Sequence, residues 1–285
     1  MKQVAVVIPI YKDLPNEQER ASLVQTLRVF GNRDILLLTY KEISHDFYDR
    51  LANEHGKNFI YIFFDSSFFK GTSTYNYLLM SINFYKAFSA YKYILICHWD
   101  AWVFEDQLDY WCAKNYDIIG APWFMWDNNK HCFVKELNGT SGNGGFTLRR
   151  VGYFIEVLSS NKKVRPFSVL KKEICWKDPK SILCFLLHLT GWHNTPKYYA
   201  ELCKNENEDY FWSQKFLNSR FAPVSPTIED AISFAFEKYP SYLYKLNNNN
   251  LPFGCHKYLN NEFDTFWYKY IKDDRNDIDN GNDKR

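Results

Sequence analysis

The sequence predicts an α/β protein whose central sheet is mostly parallel and flanked by helices, with a smaller C-terminal region. Short apolar runs alternate with amphipathic stretches over the first 120 residues, which is typical of strands joined by crossover helices. The run from Tyr93 to Cys97 is rich in isoleucine, as expected of a strand that is buried on both faces. The 285 residues are enough to bury a sizeable core.

The predicted elements of the first half follow these apolar runs and the breaks between them. Leu23, Leu27 and Phe30 give one helix an apolar face, and Gly31-Asn32 ends it. Strands are predicted at Val4–Ile10, Asp34–Thr39, Asn58–Phe64, Tyr93–Cys97 and Asp117–Ile119, with a further apolar stretch at 101–104. Helices are predicted at Asn16–Phe30, Ser44–His55 with Ser44 as its cap, Ser73–Phe88 and Glu105–Lys114.

The second half predicts fewer strands. We expect a rigid turn at Gly120–Trp123, a loop over Phe124–Gly145 and an insertion at 160–205. Helices are predicted at Arg149–Leu158, from Asn207 to about Leu217, from the cap Ser225 to about Lys238, and at Phe263–Ile271. Residues 1–271 would form one domain, and the charged tail 272–285 is expected to be disordered.

Composition and charge exclude several classes of protein. A net charge of +2 argues against a large nucleic-acid interface, so no nucleic-acid partner is expected. The seven cysteines form no close metal-ligand pair, and Met1 leads directly into a predicted strand, which together indicate core thiols in a reducing cytoplasm. The aliphatic run Ser181–Thr190 is too short to span a bilayer. Aromatic residues make up 19% of the chain, which fits either an aromatic core or sugar-stacking surfaces.

Asp100 is the first candidate site residue. It follows the central strand, and polar groups at the carboxyl ends of parallel strands face the crevice in which ligands bind. His98 stands two residues earlier, on the same face of an extended segment. A hard cation on a diphosphate needs few protein ligands, but an acid at a strand end is also common without one. Glycine-rich dinucleotide and phosphate-loop motifs are absent from the sequence.

Three further segments carry candidate residues. The glycines in Gly142–Gly145 allow close approach of the backbone to a ligand, or simply a flexible loop. Glu208-Asp209 begins a predicted helix, where acids are favoured by the helix dipole and could also supply a base. His256 follows Gly254 and could be either a ligand or a structural residue.

In this order the elements resemble GT-A glycosyltransferases. Val6–Tyr11 is similar to the nucleotide-binding first strand of that superfamily, and His98-Trp99-Asp100 stands where it carries an Asp-x-Asp metal motif. Gly142–Phe146 resembles its donor-sugar loop, and Asn207-Glu208-Asp209 resembles its x-Glu-Asp motif. The resemblance is strongest to bacterial GT-A-like proteins of surface-polysaccharide loci, and it covers about Val4–Tyr270 with 160–205 poorly matched.

The resemblance implies a GT-A fold with a nucleotide-binding half at about 1–123 and an acceptor-side half at 124–271. It also implies an enzyme that moves a sugar from a nucleotide-sugar, with a UDP-sugar favoured, to a saccharide or lipid-linked saccharide, with inversion and with Mn²⁺ or Mg²⁺. The residues implied are, for catalysis, Asp209 and, as second choice, Glu208; for the metal, Asp100 and His256; for the donor, Pro9, Tyr11, Asp65, His98, Trp99, Asp100, Gly144 and Gly145; for the acceptor, Trp123, Asn143 and Trp212.

One departure from the superfamily pattern keeps alternatives open. His98 replaces the first aspartate of the metal motif, so a non-catalytic nucleotide- or carbohydrate-binding protein on the same fold is one alternative. A sugar-nucleotide pyrophosphorylase is another, although the basic glycine-rich loop typical of such enzymes is missing after the first strand. The basic and apolar segment 162–189 predicts either a buried helix with a solvated basic loop or peripheral contact with the cytoplasmic face of the inner membrane.

Overall fold

The computed structural model describes residues 1–271, so the predicted tail 272–285 lies outside the described residues. The strands of this region are β1 (Lys2–Pro9), β2 (Asp34–Thr39), β3 (Ile60–Phe63), β4 (Tyr91–Cys97), β5 (Ala101–Val103), β6 (Ile118–Asp127), β7 (Cys132–Arg150), β8 (Ala235–Phe236) and β9 (Gly254–His256).

The helices are mostly short and lie between these strands. They are α1 (Glu17–Val29), α2 (Asp46–Glu54), α3 (Thr72–Leu79), α4 (Ile82–Ala87), α5 (Leu108–Ala113), α6 (Val151–Ser159), α7 (Phe167–Glu173), α8 (Pro179–Thr190), α9 (Pro196–Leu202), α10 (Glu208–Tyr210), α11 (Ile228–Phe234) and α12 (Pro240–Leu246). Within the described residues, no helix has the length and apolar character needed to cross a bilayer.

The central sheet has six strands in the order β3-β2-β1-β4-β7-β6. β1 pairs in parallel with β2 on one side and with β4 on the other, so that Val6 lies between Ile35 and Leu95. β7 is antiparallel to both β4 and β6, which means that the other five strands share one direction. The predicted α/β class and mostly parallel sheet are therefore confirmed.

A second sheet of three strands, in the order β5-β9-β8, lies beyond the carboxyl end of β4. Only the turn at 98–100 separates β4 from β5, and Ala101 pairs with His256 across the β5–β9 ladder. The amide of Lys257 also donates to the carbonyl of Asp100 at 2.9 Å. This pairing brings the last described strand to the end of the central one.

Two apolar layers cover the central sheet, as the alternation of side chains in β1 requires. Val4, Val6 and Ile8 belong to one layer with α1, whereas Ala5 and Val7 belong to the other with α4 and α6. The start of α1 is fixed by a capping box in which Asn16 and Glu19 each accept the other's backbone N–H. The predicted strand–helix alternation thus has the expected physical basis.

The predicted loop over Phe124–Gly145 is wrong. This segment forms most of a long hairpin in which β6 and β7 pair with several register shifts, and the expected turn at Gly120–Trp123 is part of β6. Glycine and asparagine favour turns locally, but here the bulged ladder to the neighbouring strand supplies the backbone hydrogen bonds.

Several helix predictions also need correction. Ser73–Phe88 is two helices, because the Ser81 side chain accepts the amide of Phe84 and starts a new helix there. Thr227, and not Ser225, caps α11, which gives way to β8 after Phe234. The helix predicted from Asn207 consists of α10 and a π-helical turn at Phe211–Lys215, and the end of the described chain has only a short 3₁₀ turn at Trp267–Lys269.

The cysteines only partly follow the prediction of core thiols. Cys97, Cys112, Cys203 and Cys255 are buried. The other three, Cys132, Cys175 and Cys184, are exposed. Two of these exposed thiols, Cys175 and Cys184, lie in the insertion.

Candidate active site

A cleft of about 470 Å³ opens at the carboxyl ends of β1 and β4. This is the edge of a parallel sheet at which ligands bind in α/β proteins. Its walls come from Pro9 and Tyr11 after β1, residues 98–100 after β4, residues 143–145 of β7, residues 207–209 at the start of α10, and residues 256–257 at the end of β9. Most of the residues predicted for the site therefore meet in one place.

His98, Asp100 and His256 form a cluster of possible metal ligands at the floor of this cleft. One ligand atom from each lies within 4.8 Å of the others. The Nε2 atom of His256 is 3.3 Å from Oδ1 of Asp100, and the two imidazole rings are perpendicular with centroids 5.5 Å apart. Asp100 and His256 thus lie side by side, as the resemblance implied.

The donor atoms of this cluster fit a divalent cation. Nε2 of His98, Oδ1 of Asp100 and Nε2 of His256 are all inaccessible to solvent and have no aligned hydrogen-bond partner. Buried polar atoms normally have a partner, so three such atoms facing one another fit the ligands of a bound cation. Two imidazole nitrogens and one carboxylate oxygen suit Mn²⁺ and other transition ions.

Glu237 holds the imidazole of His256 from behind. Its Oε2 atom lies 3.1 Å from Nδ1, and both side chains are buried. Nζ of Lys257 is 3.6 Å from the other carboxylate oxygen. A carboxylate on the far nitrogen orients a metal-binding histidine and increases its basicity. Glu237 was not predicted; the only signal in the sequence is one acid directly after the apolar residues of β8.

The charges of this cluster shift the pKa values in opposite directions. Burial alone would lower the pKa of His256, but the carboxylates of Glu237 and Asp100 outweigh it and raise the pKa to about 9. Burial, and then the charge of His256, lower the pKa of His98 to about 4. For Asp100 burial acts to raise the pKa, yet the adjacent His256 and His98 hold it below its usual range. His98 is therefore neutral near pH 7 and keeps a free lone pair, whereas His256 is protonated in the metal-free site and would give up its proton to a bound cation.

Asp209 lies on the other side of the glycine pair from His256. Its Oδ2 atom accepts the backbone N–H of Gly144 at 2.9 Å, and Oδ1 accepts that of Tyr210 at 2.7 Å. Burial, followed by the charge of Glu208, raises the pKa of Asp209 to about 7. A carboxylate with that pKa can exchange a proton near neutral pH, as a general base must.

Glu208 points away from the cleft floor into a buried ion pair. Both oxygens accept from the guanidinium of Arg149, at 2.9 and 2.7 Å, and the same guanidinium donates to the hydroxyl of Tyr85 at 3.1 Å. Arg149 is fully buried. The two adjacent acids thus have different surroundings: Glu208 is neutralised by a cation, whereas Asp209 is held by amides only. Arg149 was not predicted, and its signal was a basic residue within an apolar strand.

Two consecutive glycines separate the acid from the imidazole. A β-carbon on Gly144 would lie 2.9 Å from Oδ2 of Asp209. One on Gly145 would lie 1.9 Å from Nε2 of His256. The glycines predicted for close approach are thus needed first by the protein's own side chains, which pack against the backbone at both positions.

The remaining predicted residues have mixed outcomes. Tyr11 packs edge-on against Trp99 with centroids 4.7 Å apart, and both line the cleft with Pro9 and Asn143. Asp65 is not among the lining residues; its carboxylate accepts the amide of Ser67 and caps a 3₁₀ turn. Tyr75, which was not predicted, lines the cleft with a buried hydroxyl that lacks a partner.

The two tryptophans predicted to stack on a sugar are placed differently. Trp212 is fully buried among aromatic rings, 4.9 Å from both Phe154 and Phe211 by centroid, so the predicted contact with an acceptor is wrong. Trp123 is partly exposed, and its indole N–H donates to the hydroxyl of Ser213 at 3.0 Å. The sequence Tyr210-Phe211-Trp212 does not show which ring is exposed; in the structure Tyr210 is exposed, whereas Phe211 and Trp212 are buried.

Comparison with known proteins gives one family and a set of similar folds. Residues 58–256 match the family described as "Protein of unknown function (DUF5672)". Among curated proteins the sequence has no significant match.

Three similar solved structures are glycosyltransferases. The galactosyltransferase LgtC, solved with donor and acceptor sugar analogues, has 11% identity and a TM-score of 0.47, over 88% of this chain and 86% of that one. GlyE of Streptococcus pneumoniae has 12% identity and a TM-score of 0.42, over 90% and 55%. The bifunctional glycosyltransferase WbbM has 15% identity and a TM-score of 0.44, over 90% of this chain and 45% of that one.

Proposed function

Because the chain belongs to the DUF5672 family, whose description assigns no activity, we propose its function from the cleft: transfer of a sugar from a nucleotide-sugar, with a UDP-sugar favoured, to a hydroxyl of a saccharide acceptor. One observation carries this proposal. Three clustered ligand atoms, from His98, Asp100 and His256, and a carboxylate with a pKa of about 7 face the same cleft at the carboxyl edge of the sheet.

His98, Asp100 and His256 would hold the divalent cation, Mn²⁺ or Mg²⁺. When bound, such an ion neutralises the charge that collects on the leaving diphosphate. Asp100 supplies the negative ligand, and Glu237 keeps the imidazole of His256 turned toward it. Lys257, at the rim, adds a positive charge to the wall that a diphosphate would face.

Asp209 would take the proton of the acceptor hydroxyl. An inverting transfer needs a base positioned on the face of attack, with an oxocarbenium-like state between the two oxygens. The amides of Gly144 and Tyr210 hold the carboxylate in one orientation, and burial keeps its pKa near the working pH. Glu208, paired with Arg149, keeps Asp209 in place and adds the repulsion that raises its pKa.

The walls would bind the rest of the donor and the acceptor. Pro9, Tyr11 and Trp99 would border the base and ribose, and Gly144 and Gly145 would lie against the donor sugar. Asn143 is the acceptor-side residue that lines the cleft. We place this reaction in the synthesis of bacterial surface polysaccharide, on the cytoplasmic side, on the strength of the motif resemblance alone.

A panel of nucleotide-sugars with Mn²⁺ and with Mg²⁺ tests the proposal through the release of nucleoside diphosphate. We expect turnover of at least one donor, its loss on chelation, and its loss in Asp100→Asn but not in the control Glu54→Gln, which is exposed on α2. Tight binding of a nucleotide-sugar without turnover, with or without saccharide acceptors, would instead support the binding-protein alternative that His98 raises.

A further inference from the structure

Residues 171–193 of the insertion lie outside the apolar layers of the protein. The flanks are anchored: Val164 and Leu170 are buried before this stretch, and Asn194 and Tyr199 after it. Between them, none of the side chains that the structure describes is buried, and α8 contributes no buried residue at all. Of the two alternatives predicted for segment 162–189, the buried helix is therefore wrong.

The helix α8 is nevertheless apolar around most of its circumference. Its sequence is PKSILCFLLHLT, and Leu183 and Leu186, three residues apart, are 58% and 52% exposed on its outer face. Phe185, on the other face, contacts the rings of Phe167 and Trp176 at centroid distances of 6.0 Å. Helices of this composition are normally covered, either by protein or by lipid.

Tryptophans flank the helix at both ends. Trp176 precedes α8 and is 65% exposed, and Trp192 follows it and is 69% exposed. Tryptophan favours the boundary between lipid headgroups and acyl chains, where its ring is in an apolar layer and its N–H is hydrated. The 12 residues of α8 span roughly 18 Å, which suits a helix lying along a membrane surface and not one crossing it.

Positive charge is concentrated around this apolar surface. Residues 162–197 contain eight lysines and arginines against two acids, although the whole chain has a net charge of only +2. Lys171 and Lys172 end α7, and Lys177 and Lys180 lie at the start of α8; all four are exposed. A second copy of the chain would bring two such positive surfaces together, whereas an anionic bilayer complements both the charge and the apolar face.

We propose that α8, with Trp176, Trp192 and the lysines at 171, 172, 177 and 180, is a docking surface for an anionic phospholipid bilayer. The helix would lie in the headgroup region with Leu183 and Leu186 inserted. The next helix along the chain, α9, contacts the wall of the cleft, because Glu201 accepts from Tyr77 of α3 at 2.8 Å and the adjacent Asn76 lines the cleft. Docking would bring the cleft close to lipid-linked acceptors in the membrane. This consequence rests on the proposed function, whereas the docking itself does not.

Co-sedimentation with vesicles tests the docking. We expect the native protein to bind vesicles of phosphatidylcholine with phosphatidylglycerol, to bind phosphatidylcholine alone much more weakly, and to be released by high salt. Leu183→Gln with Leu186→Gln should remove most of the binding. Replacing Lys171, Lys172, Lys177 and Lys180 by glutamine should weaken it by about fivefold per lysine. The matched control replaces Lys41, Lys86, Lys245 and Lys269, which are exposed elsewhere, and should change it far less.

Several results would overturn the proposal. The proposal fails if the native protein does not bind anionic vesicles. It also fails if the Leu183→Gln, Leu186→Gln variant still binds them, or if the four control lysine replacements weaken binding as much as the four surface lysine replacements do. A dimer in solution that the leucine variants dissociate would assign the surface to self-association instead. Since all the replaced residues are exposed, circular dichroism should show folded variants. If the protein binds vesicles but turns over no nucleotide-sugar, the docking proposal is supported and only the proposed glycosyltransferase activity is contradicted.

Discussion

Gly145 lies directly against the imidazole of His256: a β-carbon at residue 145 would be 1.9 Å from Nε2, closer than any side chain could tolerate. Gly145 belongs to β7 and His256 to β9. The backbone at Gly145 is held from the other side by His98, whose amide donates to the carbonyl of Gly145 at 2.9 Å. The backbone of β7 thus sets how near the imidazole can come to Asp100.

Gly145→Ala should therefore displace His256 and weaken metal binding. We expect the affinity for Mn²⁺, measured by calorimetric titration, to fall by at least the roughly 10- to 100-fold that follows loss of a ligand's orientation. Gly152→Ala is the matched control, because a β-carbon there meets nothing within 4 Å and the residue lies in α6. Its Mn²⁺ affinity should be unchanged, with the protein slightly more stable. If the Gly145→Ala variant binds Mn²⁺ with native affinity, His256 is not a ligand.

Glu237→Gln tests the support behind His256. The amide can still accept from Nδ1, but it removes the negative charge that contributes most to the raised pKa of His256. We expect Mn²⁺ affinity to fall by about 10- to 100-fold. Equal Mn²⁺ affinity in Glu237→Gln and native protein would show that the carboxylate does not tune the site. Glu54→Gln, on the exposed face of α2, is the control for loss of one carboxylate.

Asp209→Asn should lower kcat by roughly 10²- to 10⁴-fold, since the acceptor proton then has no base. In the native enzyme kcat/KM should rise with pH and level off above about 7, where Asp209 is ionised. A profile that is flat through this range, or a variant that keeps full transfer activity, would remove Asp209 as the base.

Asp209→Asn, which should lower activity, should raise stability relative to the native protein. The pKa of Asp209 rises from 3.8 to about 7 on folding, so the native state binds the proton more tightly than the unfolded chain does. Ionisation therefore destabilises the fold, and this loss develops as the pH rises from about 4 to about 7. Tm of Asp209→Asn relative to native protein should increase across that window. A Tm difference that does not change with pH would contradict the raised pKa.

Arg149 and Glu208 should be strongly coupled in stability. Glu208→Gln leaves a buried guanidinium without its counter-charge and should cost about 3–5 kcal/mol in the free energy of unfolding. The exposed pair of Lys204 and Glu201 is the control, and Glu201→Gln should change the free energy of unfolding far less. In a double-mutant cycle, Arg149→Met with Glu208→Gln should be less destabilised than the sum of the single variants. Additive single effects would argue against the ion pair.

The sequence predicted best where an element depends on its own residues. β2 has the predicted bounds, and β1 and β4 differ by two residues at their starts, because buried apolar runs leave few other conformations for these segments. The capping box of Asn16 and Glu19 is likewise local. The hairpin of β6 and β7 was missed, since its glycines and asparagines favour turns and only the neighbouring strand supplies the ladder that extends them.

For the candidate site, too, some features were predictable from the sequence and others were not. The motif resemblance identified Asp100, Asp209 and His256, which do line one cleft, but it could not show that Glu208 turns into an ion pair with Arg149 or that Trp212 is in the core. Glu237 and Tyr75 carry no motif and became visible only through their distances to His256 and to the cleft.

The sequence by itself determined the α/β class, the position of the central strand and which residue types could bind a cation, because these depend on apolar periodicity and on the chemistry of single side chains. Only the tertiary structure decided which of two adjacent acids is neutralised, which tryptophan is buried, and that α8 is left uncovered. The physical reason is that pKa, burial and ligand geometry are set by neighbours in space, which the pairing of β5 with β9 and of β4 with β7 brings together from distant parts of the chain.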